Sequence, residues 1–335
     1  MEKIKLTPEQ LAQYKAIVDS IEKLRSLTEA EKEKLVKDIM EKPFLNLLCD
    51  VALKYVFQND MNCLMMLLND FLPEKIVSVR PMPNELVSPV IEDKKPVLDV
   101  IATINDKREV IIEMQQERRK AFFPRLYYYG STLLSRQLKK GMHYKDLMPV
   151  YVICFTDFTI RHKGCPKTQL IYEYQHREKI GGATFTNLHT TYICELPRLA
   201  KKALSEMDPV ESWFYILKNS GKFAEKPEGL DPRYDQVFEA AKTNRVPGEE
   251  RLQYLRAMLS DYDKKDISEA YYEAGHEDGY EQGMVEGVEK GKAEGKAETA
   301  RAMLADGMSP ELVSKYTGLS EEEISQLKEA GQYGQ

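Results

Sequence analysis

Two β-prone runs joined by a short polar turn constrain this chain most: Val97-Leu98-Asp99-Val100-Ile101-Ala102-Thr103-Ile104 and Glu109-Val110-Ile111-Ile112-Glu113-Met114-Gln115, linked by Asn105-Asp106-Lys107-Arg108. β-branched residues at that density on both sides of an Asn-Asp pair predict a β-hairpin. A turn centred on Asp106 puts Asp99 opposite Glu113, whereas a slip of one residue would bring Met114 there instead. Glu113 and Gln115, two apart on one strand, share a sheet face. Two carboxylates facing each other across a hairpin repel and destabilise it. Compensation is therefore expected as a raised pKa, a basic neighbour or a bound divalent cation. Oxygen-only ligands of this kind suit Mg²⁺ or Mn²⁺ rather than zinc. On spacing alone, the plainer alternative is a solvated hairpin end carrying two exposed acids.

Around the hairpin the pattern alternates between helix and strand. Thr7-Pro8-Glu9-Gln10 and Leu27-Thr28-Glu29-Ala30-Glu31 are helix starts, which makes residues 1–42 an N-terminal helical extension. From Pro43 the apolar spacing is helical through Phe44, Leu47, Leu48, Val51, Ala52, Tyr55 and Val56, with Asp50 on that helix, and a second helix is predicted over 61–71. Ile76, Val77 and Val79 predict a short strand before a Pro/Asn-rich loop. Pro124 suits the first turn of a helix running to Lys140 and stopping at Gly141. The nearly continuous apolar run Pro149–Phe155 then predicts a fully buried strand. Further strands are expected around Leu170-Ile171-Tyr172 and Thr191-Tyr192-Ile193-Cys194, with helices from Leu199 to about Asp261. The order ααβββαβ makes the class α/β.

Charge is distributed unevenly. The whole chain carries a net charge of -6, which opposes a protein that coats nucleic acid over its entire surface. Between Glu117 and Asp146, however, eight Lys or Arg stand against two acids. On the helix after the hairpin, Arg125, Tyr129, Arg136 and Lys140 are spaced 4, 7 and 4 residues apart, successive steps of about 40° or less at 100° per residue, forming one basic stripe. Such a stripe is either a solvated face or the electrostatic footprint of phosphate binding. Gln137, one residue off it, is a candidate for hydrogen bonding near the same site. Tyr127 and Tyr128 suit core or rim packing.

Other chemistries lack their signatures. The five cysteines show no C-x-x-C spacing, and the five histidines no H-x-x-x-H pair, so neither a zinc knuckle nor a zinc hydrolase is suggested. No P-loop and no G-x-S-x-G is present. The N-terminal residues lack an apolar signal region, and no apolar run reaches the roughly 20 residues of a bilayer span, so a cytoplasmic location without membrane contact is expected.

Gly275, Gly279, Gly283, Gly287, Gly291 and Gly295 recur every four residues in a proline-free, Glu/Lys/Ala-rich stretch. On a helix they form a slowly drifting stripe open to close approach by another helix. Each costs about 1 kcal/mol relative to alanine, so residues 263–300 are read as a long helix for homo-oligomerisation or docking, with a flexible linker as the alternative. Residues 301–335 resemble a small helix-turn-helix, with starts at Ser309-Pro310-Glu311 and Ser320-Glu321-Glu322-Glu323. Three glutamates opening its second helix oppose phosphate, which favours a structural cap over DNA readout.

A hairpin carrying Asp and then Glu-x-polar, between an acid-bearing helix and a basic helix, resembles the PD-(D/E)XK nuclease core. More closely, residues 43–160 resemble the recombination-promoting nuclease branch, the PD-(D/E)XK nuclease family transposases. The resemblance rests on Cys49-Asp50-Val51-Ala52-Leu53-Lys54-Tyr55-Val56-Phe57, Leu98-Asp99-Val100, Ile112-Glu113-Met114-Gln115, Arg125-Leu126-Tyr127-Tyr128-Tyr129, Gly141-Met142-His143-Tyr144 and Leu147-Met148-Pro149-Val150, with Thr317-Gly318-Leu319-Ser320 in the tail. It implies a restriction-endonuclease-like α/β core with a mixed sheet over 43–198, followed by an α-helical C-terminal region that begins with helices over 199–262. It also implies that Asp99 and Glu113 hold Mg²⁺, or Mn²⁺, with the Met114 carbonyl as a further ligand. Asp50 would hold the metal or a water. Gln115 stands where the superfamily has a lysine; an amide orients water or a phosphate oxygen but cannot take a proton. Arg125 becomes the leading candidate for phosphate contact.

The function so implied is a Mg²⁺-dependent DNA endonuclease linked to recombination or mobile elements. The alternative is a catalytically weak nuclease-like scaffold acting through helical self-association or partner binding. No residue pattern supports strand transfer.

Overall fold

The apolar run after the basic helix becomes the strand Val150–Thr156, buried along its whole length. The computed structural model of the chain describes residues 5–83, 98–118, 121–138, 141–162, 164–166, 168–260, 295–320 and 322–326. Two units are distinguished, Met1–Asp261 and Tyr262–Gln335.

The first unit contains a six-stranded mixed sheet of β1 (Val79–Pro81), β2 (Val100–Ile104), β3 (Arg108–Gln115), β4 (Val150–Thr156), β5 (Ile171–Arg177) and β6 (Thr184–Glu195), in spatial order β1-β2-β3-β4-β6-β5. β1, β2 and β3 pair antiparallel, β3, β4 and β6 run parallel, and β5 returns antiparallel on β6. A parallel centre has to be covered on both faces. One face, with Val110, Ile112, Ile153 and Phe155, shares a core with the helices α1 (Pro8–Ser20), α2 (Glu29–Met40), α3 (Asp50–Asn59), α4 (Met61–Phe71), α6 (Pro209–Asn219) and α7 (Asp235–Ala240). The other face, with Ile101, Ile111, Val152, Cys154 and Ile193, packs on Phe122, Leu126 and Leu133 of α5 (Phe122–Arg136). α5 is thus the crossover between the parallel strands β3 and β4.

Local chemistry explains most boundaries. Thr7 with Gln10 and Thr28 with Glu31 form the capping boxes that start α1 and α2. In the hairpin turn, Asn105 and Asp106 adopt φ of 48° and 60°, a left-handed backbone that Asn and Asp tolerate better than most residues. The resulting register, Val100 opposite Ile112, extends to Asp99 opposite Glu113.

Three boundaries differ from the sequence expectation. The helix predicted from Pro43 begins only at Asp50. Residues 43–47 are kept out of the helix by long-range partners: Leu45 N–H bonds Ala241 O at 2.8 Å, the Pro43 carbonyl receives Thr243 N–H at 3.0 Å, and Leu47 N–H bonds Ser220 Oγ at 2.8 Å. The strand expected at 76–79 starts at Val79, because Asn69 Oδ1 accepts the Ile76 N–H and Asn105 Oδ1 those of Val77 and Ser78. The helix expected to reach Lys140 ends at Arg136, where the Gln137 side-chain oxygen turns to accept the Met148 N–H at 2.8 Å. Lys140 lies outside the described residues, as does the glycine-step segment up to residue 294.

In the second unit the described residues form helices over 295–305, Pro310–Thr317 and 322–326. Ala300, Val313 and Ile324 make its buried centre. Gly318, at φ 70°, caps the middle helix, and Ser320 with Glu323 closes the capping box of the last one.

Candidate active site

The site grows out of the hairpin end remote from the turn. β3 alternates Ile111, Glu113 and Gln115 onto the face that α5 covers, and the register brings Asp99 beside Glu113. Asp99 is 7% exposed and Glu113 2%. The solvated-hairpin alternative therefore fails. The two residues interlock: Asp99 N–H donates to Glu113 Oε1 at 3.2 Å, and Met114 N–H donates to Asp99 Oδ2 at 2.8 Å. N–H and C=O of one strand residue point to the same edge, so the Met114 carbonyl is directed toward the Asp99 side as well.

Burial is the main force on both carboxyls and raises each above its ordinary range; the neighbouring Asp99 charge raises Glu113 further. For Asp99 the Met114 N–H and the Lys54 ammonium oppose the rise, and Asp50 adds to it. Two buried acids side by side thus carry an unmet demand for positive charge.

α3 supplies two groups. Asp50, its first residue, is exposed; its carboxylate accepts its neighbour's Val51 N–H at 2.8 Å, and its charge reaches Asp99. Lys54, one turn on, brings Nζ to 3.6 Å from Asp99 Oδ1. Sequence reasoning gave Lys54 no role. Its i, i+4 spacing from Asp50, beside the buried Leu53 and Val56, was the available signal.

Gln115 bridges acid and base. Its Nε2 donates to Glu113 Oε2 at 3.2 Å, and its Oε1 accepts from the Arg125 guanidinium. Arg125 leans over the Tyr129 ring, 6.0 Å from its centroid, and its Nε is buried without a partner. Thus Asp99, Glu113, Gln115, Arg125 and Tyr129 come together, with Lys54 added.

Arg136, the other described member of the basic stripe, does not join them. Eleven residues of helix separate Arg125 from Arg136 by about 16 Å. Arg136 instead acts on Glu109 at the opposite end of β3, where Gln137 Nε2 also bonds Glu109 Oε2 at 3.4 Å. Gln137 is therefore not a site residue. Tyr127 is exposed rather than core, stacked on His189 at 5.1 Å between ring centroids.

Among the described residues no three of His, Cys, Asp and Glu converge as a closed metal site. Two buried carboxylates and a backbone carbonyl nonetheless form an open, oxygen-only donor set. That suits a hard divalent cation, which keeps water and substrate oxygens as its remaining ligands. No helix of the described residues is long and apolar enough to cross a membrane.

In comparisons with known proteins, the family model described as PD-(D/E)XK nuclease family transposase matches residues 47–270. A second, described as Rpn/YhgA-like nuclease family, C-terminal HTH domain, matches residues 293–329. No curated protein and no solved structure gives a match.

Proposed function

The chain belongs to the PD-(D/E)XK nuclease family transposases, and on that premise we propose that it is a Mg²⁺-dependent DNA endonuclease that hydrolyses phosphodiester bonds. Its place in recombination or mobile-element biology follows from the family description alone. The observation that carries the reading is the pair of buried carboxylates, Asp99 and Glu113, hydrogen-bonded to each other's strand on one sheet face and lacking a cation in direct contact with Glu113 among the described residues.

Asp99, Glu113 and the Met114 carbonyl are the groups that would hold Mg²⁺ or Mn²⁺, which supplies Lewis acidity and an activated water beside the phosphate. Gln115 keeps the Glu113 carboxylate oriented through its amide N–H and holds Arg125 through its carbonyl. Arg125, whose guanidinium is held by the Gln115 carbonyl beside the carboxylates, would serve as a cation toward a phosphate oxygen. Gln115 brings no positive charge where the family pattern has a lysine. Lys54, arriving from α3 at Asp99, supplies such a charge from another element. Asp50 sits at the mouth, able to hold a water. The C-terminal unit, for which the sequence favoured a structural cap, is instead matched as an HTH domain and would provide a second element of DNA-binding type.

Nicking of supercoiled plasmid with Mg²⁺ or Mn²⁺ tests the reading. The wild-type chain should cut, and Asp99→Asn and Glu113→Gln should each lose on the order of 100-fold or more, the scale at which a lost group that stabilises transition-state charge is felt. Equal rates in all three proteins would remove it.

A further inference from the structure

The sheet face that carries Glu113 has a second opening two strands away. β3, β4 and β6 end in register, with Gln115 beside Thr156 and Thr156 beside Glu195. At about 4.8 Å between strands, this row is roughly 10 Å long. Parallel strands offer their carboxyl ends to ligands, and here a pocket of about 840 Å³ opens next to the row, lined by Arg118, Arg161, Arg198, His162, Cys165 and Tyr172 among others. Among the described residues, none that lines it is acidic.

The wall of this pocket is rigid and its rim is free. Glu195, whose side chain is fully buried, accepts His162 Nε2 at 2.5 Å, Ile160 N–H at 2.9 Å and the Arg198 guanidinium. Arg198 also donates to Ile160 O at 2.9 Å and lies 5.6 Å from the Tyr172 ring centroid, while His162 stacks on the same ring at 3.5 Å. Glu195 thereby offsets one guanidinium and fixes its direction. Arg118 and Arg161 are exposed, and no ion pair engages either among the described residues. Two uncompensated guanidinium groups beside a fixed third make an anion site, and guanidinium matches phosphate in a bidentate fork.

We infer that this pocket seats a non-scissile internal phosphodiester of the nucleic-acid strand whose scissile bond lies at Asp99 and Glu113. The inference rests on the nuclease reading for the identity of the polyanion. A span of about 10 Å corresponds to about one to two nucleotides, because successive phosphates of one strand lie roughly 6–7 Å apart while rising about 3.4 Å along the duplex axis. The positive wall facing the strand is then built by the loops after β3 and β4 and the turn after β6. The far end of α5 takes no part.

The test uses the full chain and its Arg118→Ala/Arg161→Ala double variant, both surface positions, with a thermal melt to check that the fold is kept. Binding of a labelled oligonucleotide by anisotropy should weaken about tenfold or more in the variant, and the slope of log affinity against log salt should become shallower by about 1. A single methylphosphonate should suppress wild-type cutting about one to two nucleotides away and lose that effect in the variant. Closed circular DNA should compete as well as linear DNA. Unchanged affinity and salt slope in the variant, while the wild type still cuts, would overturn the subsite alone. Loss of affinity in the variant with no cutting by the wild type would overturn the nuclease reading and leave the subsite standing. Absence of binding by both proteins, or competition by linear DNA only, would overturn the internal-phosphate assignment.

Discussion

Glu113 and Glu195 are both buried glutamates on the same face of the same sheet, on parallel strands separated only by β4. Their surroundings differ in one respect. Glu195 meets the Arg198 guanidinium, an imidazole and a backbone N–H. Glu113 meets an amide side chain at 3.2 Å, the Asp99 N–H at 3.2 Å, and a second carboxylate. A buried carboxylate with its own guanidinium is a structural joint, because desolvation is offset by direct charge pairing and filled hydrogen bonds. A buried carboxylate with neutral donors and an acidic neighbour is poised for a cation that comes with the ligand.

The contrast can be broken most forcefully at Glu195. Glu195→Gln leaves a largely buried Arg198 without its counter-charge and should destabilise the first unit by about 3 kcal/mol, the scale of breaking a buried pair from one side. For a unit of this size that is roughly 6–12 °C in a thermal melt. A drop below about 2 °C would mean that Glu195 is not the joint described here.

Lys54 sharpens the contrast from the other side. It is the one cation within ion-pair distance of Asp99 among the described residues. Lys54→Ala should slow plasmid nicking roughly 10- to 100-fold, with Lys54→Arg recovering part of it. Unchanged nicking would leave the positive charge to Arg125 alone.

The smallest effect is expected in the stability of Glu113→Gln without metal, within about 1 kcal/mol of wild type, because the neutral amide avoids a buried charge at nearly the same volume. pH adds a sign. Asp99 and Glu113 sit above their ordinary values of 3.8 and 4.5, so the folded chain retains protons that the unfolded chain has released. Their contribution to the stability of the metal-free chain is therefore lost as pH rises above about 4 and regained on acidification. Denaturant midpoints across that range should show this slope in the wild type and a reduced one in Glu113→Gln.

Much of this was legible before any coordinates. The density of β-branched residues on both sides of Asn105-Asp106 sufficed for the hairpin, but its register stayed open to a one-residue slip until the structure set Val100 opposite Ile112, because both faces of these strands are buried and no alternation chooses between them. The unbroken run over 150–155 sufficed for the buried strand. Where local signals were outvoted, the cause was a partner far along the chain. The helix start moved from Pro43 to Asp50 through bonds to residues 220, 241 and 243, and the helix after the hairpin stopped at Arg136, where the Gln137 side chain turned to Met148.

What the sequence alone determined is the order of elements, the hairpin that carries Asp99 and Glu113, and the shared face of Glu113 and Gln115, since all of these follow from patterns within a few residues. Only the tertiary structure decided that Lys54 reaches Asp99, that Arg125 and not Arg136 serves the carboxylates, and that Glu195 anchors an arginine pocket in the same row. Those arrangements join residues tens of positions apart. Their proximity is set by strand order and helix crossover, which leave no periodic trace in the chain.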